Sequence, residues 1–175
     1  MKIKLSELKR IIKEALEDEE IPGFGRDYGD EVSISDKKYS FTGKRNGRLQ
    51  QIVALRSFGS IKKGDIGGWI ESEENLSQEG NCWVSGYAKV FEDAKVSGNA
   101  EVSGDAEVSG DAKVFGYAEV YGYALVSGAA KVSGDAKVFG YAEVYGYAKV
   151  FDDAKVYGYA KVSGDQIIKT GRITK

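Results

Sequence analysis

The sequence predicts an all-β fold: a parallel β-solenoid with 18-residue coils, preceded by an amphipathic helix and a β-hairpin cap. Three observations predict it. From Val84 to Val162 a valine recurs at every sixth position, fourteen times without a gap. Four positions after each of the first thirteen stands an alanine, from Ala88 to Ala160. Two positions after each valine stands a glycine in twelve of the fourteen cases, Glu92 and Asp152 being the exceptions. A repeat this strict outranks every other signal in the chain. Alanine and valine two apart face the same side of a strand, and the Lys or Glu between them faces away. The glycine turns the chain with backbone angles closed to other residues. Three such hexads make a triangular coil, and coils stack at about 4.8 Å through parallel backbone hydrogen bonds.

The remaining elements follow in chain order. Residues 1–20 are expected to form a helix, with Ile3, Leu8, Ile11, Ile12 and Leu16 on its apolar stripe. That stripe suits packing on its own domain, packing on a neighbouring subunit, or a detachable docking segment. EDEE and the Gly- and Pro-containing IPGFGRDYGD then read as an acidic stop and a linker over 21–36. Residues 37–65 are expected to be a hairpin cap, in which KKYSF and RLQQIVALRSF flank TGKRNG and Asn46-Gly47 suits the turn. Hexad spacing begins in the stretch that opens the solenoid, assigned to 66–168. Residues 169–175 read as a C-terminal strand or tail that folds over the last coil or joins a neighbour's sheet, since an uncapped solenoid end exposes unpaired backbone.

The unit V-x-G-x-A-x is similar to the hexapeptide repeat of left-handed β-helix proteins, and left-handed winding is implied by that resemblance alone. GGWIESEENLSQEGNCWV, followed by YAKV and GNAEV, resembles a bacterial and phage group of hexapeptide-repeat proteins often labelled acetyltransferase-like. The resemblance covers about residues 50–168. The opening MKIKLSELKRIIKEAL also resembles the Lys/Leu/Ile-rich openings of many tailed-phage proteins, which implies a virion role. Enzymes of the hexapeptide-repeat group typically use a histidine base and a loop thrust out between coils.

Composition bears directly on that implied activity. The chain has no histidine, so it lacks the commonest general base, the commonest metal ligand and the Ser-His and Cys-His pairs. Fourteen hexads run without an inserted loop. The expectation is therefore a protein without catalytic residues, cofactor or metal. A lone cysteine, Cys82, allows no intrachain disulfide and no thiolate cluster. A net charge of −2 gives no basic excess for nucleic acid, and no apolar run is long enough for a signal peptide or a membrane span, so a cytoplasmic site of synthesis is expected. The repeats carry no outward threonine ranks for ice binding, and their period is not that of the calcium-binding nonapeptide repeats. Asp93 and Asp111 would lie one coil apart, and a solvated corner accounts for them.

Two surface columns stand out. An 18-residue coil aligns Tyr121, Phe139 and Tyr157 in one column and Tyr123, Tyr141 and Tyr159 in the next, forming an aromatic ridge along one corner. These rings are expected either to stack and shield the backbone or to contact another subunit, a partner protein or a glycan. The same arithmetic stacks Lys95, Lys113, Lys131 and Lys149 on one wall. That ladder is expected to be a solvated face or a contact for an anionic polymer or acidic partner surface.

The block GDAKVFGYAEVYGYA occurs twice, from Gly110 and from Gly134, an offset of four hexads. Copying four walls keeps Val and Ala inward but moves the outer residues round to the next face, which argues against selection for one flat functional face. The expected function is structural: a rigid module that forms a homo-oligomer or docks on a larger protein assembly. The alternatives are a carbohydrate- or protein-binding module using the ridge, and an atypical acyltransferase-like enzyme.

Overall fold

The structure, a computed structural model, describes residues 37–174. The expected helix, with Ile3, Leu8, Ile11, Ile12 and Leu16, and the linker after it lie outside the described residues. So does Lys175.

Residues 66–174 form a parallel β-solenoid of six coils whose inward positions are Ile70, Leu76 and Val84 in the first and Val162, Ile168 and Ile173 in the last. Every third hexad joins the same sheet, so the chain has three walls. Wall 1 holds Lys89–Val90, Glu107–Val108, Leu125–Val126, Glu143–Val144 and Lys161–Val162. Wall 2 runs from Lys95–Val96 through Lys113–Val114, Lys131–Val132 and Lys149–Val150 to Ile167–Ile168. Wall 3 runs from Trp83–Val84 to Arg172–Thr174. Within the repeat, paired residues stand three hexads apart throughout, as in Glu119↔Lys137 and Val120↔Val138. All fourteen repeat valines and thirteen repeat alanines are buried. The interior is therefore a dry column of one branched and one small apolar residue per wall, held by direct burial and by the parallel ladder.

The N-terminal end is closed by an antiparallel layer. Strand β1 (Tyr39–Asn46) pairs with β2 (Leu49–Ala54), which pairs with β3 (Ile66–Ile70), and β3 turns parallel to Lys89–Val90 to join wall 1. The hairpin turn is tighter than the sequence implies. TGKR lies within β1, whose register shifts between Phe41 and Arg45 around Gly43. That shift is a bulge, and it absorbs residues that composition alone assigns to a loop.

The first coil carries two extra residues, because Ile70 and Leu76 lie six apart whereas Leu76 and Val84 lie eight apart. The hairpin fills the widened corner. Lys38 N–H donates to Gln78 Oε1 at 2.8 Å, and Tyr39 Oη donates to the Leu76 carbonyl at 2.6 Å. Lys38 is fully buried; its Nζ donates to the Cys82 and Glu79 carbonyls at 2.9 and 3.2 Å and stands 3.2 Å from Cys82 Sγ. Burial lowers the Lys38 ammonium below its ordinary range and raises the Tyr39 phenol.

The C-terminal segment forms a strand, and that strand pairs within its own solenoid. Ile167–Ile168 pairs with Lys149–Val150, and Arg172–Thr174 pairs with Lys155–Tyr157, so the tail extends two walls of its own solenoid. Ile168 and Ile173 replace valines, and Gly171 replaces the alanine whose carbonyl receives an N–H from the preceding coil of the same wall, here from Lys155 at 2.9 Å. The hydrophobic rhythm continues in different residues, so a count of valines and alanines stops short of it.

The two corners without glycine, Glu92 and Asp152, are the two non-glycine residues with positive φ among those described, at 58° and 54°. Glu92 is anchored. Its N–H donates to Glu71 Oε2, its Oε2 accepts from Gly110 N–H, its carbonyl accepts from Asn75 Nδ2, each at 2.8 Å, and Arg48 pairs with its Oε1 at 3.3 Å. Asp152 has no comparable side-chain partner among the described residues. Asp152→Gly should therefore raise stability by about 1 kcal/mol through relief of the left-handed backbone. Glu92→Gly should lower it by about 1 kcal/mol, because the lost hydrogen bonds exceed that relief. Chemical denaturation of both variants checks the opposite signs.

Candidate functional site

Both surface columns occupy fixed places on the prism. The aromatic ridge follows the corner between walls 3 and 1. Tyr121, Phe139 and Tyr157 stack with centroids 4.9 and 5.0 Å apart and planes within 4° of parallel. Tyr123, Tyr141 and Tyr159 stack at 5.0 and 5.1 Å, within 6°. The ring spacing matches the coil spacing of about 4.8 Å, so neighbouring coils carry the rings in register. The turn residue between the two columns makes this approach feasible. Gly122 and Gly140 have φ of 75° and 73°, and a Cβ on Gly122 would lie 3.1 Å from Gly140 N. The inner column is half-buried, whereas Tyr123, Tyr141 and Tyr159 are 54%, 51% and 67% exposed. The ridge thus presents a file of ring edges and hydroxyls above a shielded backbone.

The 24-residue duplication has a consequence at the corners that the walls do not show. The copied block carries aromatic pairs at two successive corners, Phe115/Tyr117 and Tyr121/Tyr123. A shift of one full coil plus one wall sets the second copy's first pair, Phe139/Tyr141, beneath the first copy's second pair. The offset that scrambles flat walls therefore builds a corner column.

Lys95, Lys113, Lys131 and Lys149 lie in direct register on wall 2, all exposed. Because each wall faces the corner between the other two, the ladder and the ridge lie on opposite sides of the prism. The other walls pair their charges instead. Lys89 meets Glu107 at 2.7 Å and Lys161 meets Glu143 at 2.9 Å on wall 1, and Lys137 meets Glu119 at 2.7 Å on wall 3. These contacts hold the Lys137 and Lys161 ammoniums above their ordinary range, chiefly through the hydrogen bond to the glutamate.

An open groove of about 500 Å³ lies along wall 2, lined by Ala129, Lys131, Tyr147, Lys149, Asp165 and Ile167. Sequence reasoning places Lys131 and Lys149 there but not Tyr147, whose column holds Asp93, Asp111 and Ala129 above it; the only signal is the coil arithmetic applied to a single ring. The Cys82 thiol is buried. Among the described residues no three His, Cys, Asp or Glu side chains converge as a metal-holding group, and no helix is long and apolar enough to cross a membrane.

No protein-family model matches the chain. Over 41 residues it is 49% identical to a protein of Escherichia coli (strain K12) named "Uncharacterized acetyltransferase YdcK". That match spans 23% of this chain and 13% of the relative. The solenoid and this partial match fit the hexapeptide-repeat, acetyltransferase-like group.

Proposed function

We propose that the chain is a non-catalytic structural module, a rigid solenoid that associates with further copies or docks on a larger assembly through its aromatic ridge. The observation that carries this reading is the ridge itself: six stacked rings in two files, the outer file half or more exposed. Contiguous exposed aromatic area on a rigid support is characteristic of contact surfaces. The smooth run of hexads, with no loop thrust out between coils, supports the same reading. The likeness of the first residues to phage openings makes a virion the assembly of choice.

The test is sedimentation velocity of the full chain beside Tyr141→Ser/Tyr159→Ser. The reading expects a concentration-dependent oligomer that the double variant weakens at least about tenfold, as loss of buried aromatic anchors does. An unchanged distribution in the variant would leave the ridge purely structural. If the ridge bound a glycan instead, the variant would lose glycan binding while its oligomeric state stayed as in the parent.

A second reading rests on the relative's printed name. An acetyltransferase would transfer the acetyl group of acetyl-CoA to an acceptor, and in this chain the base would have to be Asp, Glu or another non-histidine group. Acetyl-CoA turnover by the purified chain, abolished by one carboxylate substitution, would replace the structural reading.

A further inference from the structure

The geometry points to wall 2 as a docking strip for a linear acidic polysaccharide with one carboxylate per sugar ring, the groove that holds Tyr147 being one subsite along it. The inference is independent of the ridge, which lies across the prism.

The first ground is a contrast in composition. The outward column of wall 1 reads Lys89, Glu107, Leu125, Glu143, Lys161, and its cations stand against carboxylates. Wall 2 reads Lys95, Lys113, Lys131, Lys149 and then Ile167. Among the described residues none of its four lysines has an ion-pair partner, although like charges on adjacent strands repel. Four ammoniums in single file span roughly 14 Å at one per coil. A polymer with one negative charge per unit of similar length meets them one to one and removes the repulsion.

The second ground is the width of the strip. Exposed acids border it on both sides, Asp93, Asp111 and Asp165 along one corner and Asp135 and Asp153 along the other. A nucleic-acid duplex covering the strip would lay its second strand's phosphates over those carboxylates. A single-file chain keeps its charges over the lysines alone.

The third ground is the groove. Ala129, Tyr147 and Asp165 follow one another down the corner, one per coil, beside Lys131, Lys149 and Ile167 of the strip, and the Tyr147 ring is 67% exposed. Tyr147 supplies the apolar platform, Lys131 and Lys149 line the groove beside it, and Asp165 offers a carboxylate acceptor. An apolar platform with a few polar groups beside it is the composition that holds a sugar ring by its carbon face while pairing its hydroxyls and acid.

The test measures binding of the full chain to an oligogalacturonide, with a neutral dextran oligomer and a short DNA duplex as comparators. At low salt the oligogalacturonide alone should bind, and raising salt from about 50 to about 200 mM should weaken it about tenfold. Lys131→Gln/Lys149→Gln should cost about tenfold or more and flatten the salt dependence by about two charges. Tyr147→Ser should cost about fivefold with the salt dependence unchanged. Lys44→Gln/Arg45→Gln, which removes the same charge from the exposed end of β1, should bind like the parent. Removing like charges should leave the melting temperature equal or higher, so loss of binding cannot be read as unfolding. No oligogalacturonide binding at low salt, equal binding of the duplex, or identical behaviour of the wall and hairpin variants would each overturn the proposal.

Discussion

Gly67→Ala and Gly68→Ala should each destabilise the protein by about 3 kcal/mol or more, among the largest effects of any single added methyl in this fold. Both glycines lie in β3, where the hairpin cap becomes the first strand of wall 1. A Cβ on Gly67 would stand 2.5 Å from Ile52 Cγ1, 2.6 Å from Trp83 Cζ2 and 2.7 Å from the Val84 carbonyl oxygen. On Gly68 it would stand 2.7 Å from the Ala88 carbonyl oxygen and 2.8 Å from Val84 Cγ1. Neither contact is relieved by a flexible side chain, because each site meets a backbone carbonyl. The Ala88 carbonyl already receives Trp69 N–H at 2.9 Å, so moving it away breaks the first rung between cap and coil. The predicted signature is a lowered denaturation midpoint together with exposure of Trp83, followed by its fluorescence.

Val126→Asp should prevent folding of the central coils, whereas Val126→Ala should cost only about 2 kcal/mol. Val126 is fully buried, in register between Val108 and Val144, and its surroundings are other valines and alanines. Alanine removes two methyl groups at about 0.8 kcal/mol each and leaves a small cavity. Aspartate places a carboxylate where no donor is available, and each coil touches only its neighbours, so the break divides the stack. Circular dichroism and denaturation of both variants test the order. Similar stabilities for aspartate and alanine would mean that the position faces water.

The interior of the solenoid is legible in the sequence because one physical demand repeats at every wall. A small residue, a branched one and a turn residue are needed each time, so Val120, Ala124 and Gly122 can be placed by counting. The columns outside follow from the same count, and that is why Tyr123 over Tyr141 and Lys113 over Lys131 are foreseeable. Where different residues satisfy the demand, counting fails. Ile168, Ile173 and Gly171 carry the last two walls without a valine or an alanine, and two extra residues break the six-residue step between Leu76 and Val84. The cap is harder still. Nothing local in KKYSF indicates that Lys38 is buried beside Cys82, 44 positions away, since that contact exists only because a widened corner needs filling.

The ridge shows how a rule about cores produces a surface. A shift of four hexads is neutral inside, where every wall is equivalent, yet it stacks Phe139 under Tyr121 and Tyr141 under Tyr123. A duplication by three hexads would instead have repeated each corner beneath itself, giving a two-ring file at each of two corners in place of the single corner file that the actual offset builds.

All of these columns depend on the backbone completing one lap every three hexads, and paired cysteines test that step directly. Ser109 and Ser127 lie in neighbouring coils at the same corner, and Ser109 N–H donates to the Val126 carbonyl at 2.9 Å. In Ser109→Cys/Ser127→Cys a thiol cross-linker about as long as one coil step, roughly 5 Å, should join the two sites within one chain. In Ser109→Cys/Ser133→Cys the second thiol sits at the next corner, and the same reagent should leave the sites unjoined. Peptide masses showing the second pair linked, or the first pair unlinked, would contradict the coil on which the ridge and the lysine strip are built.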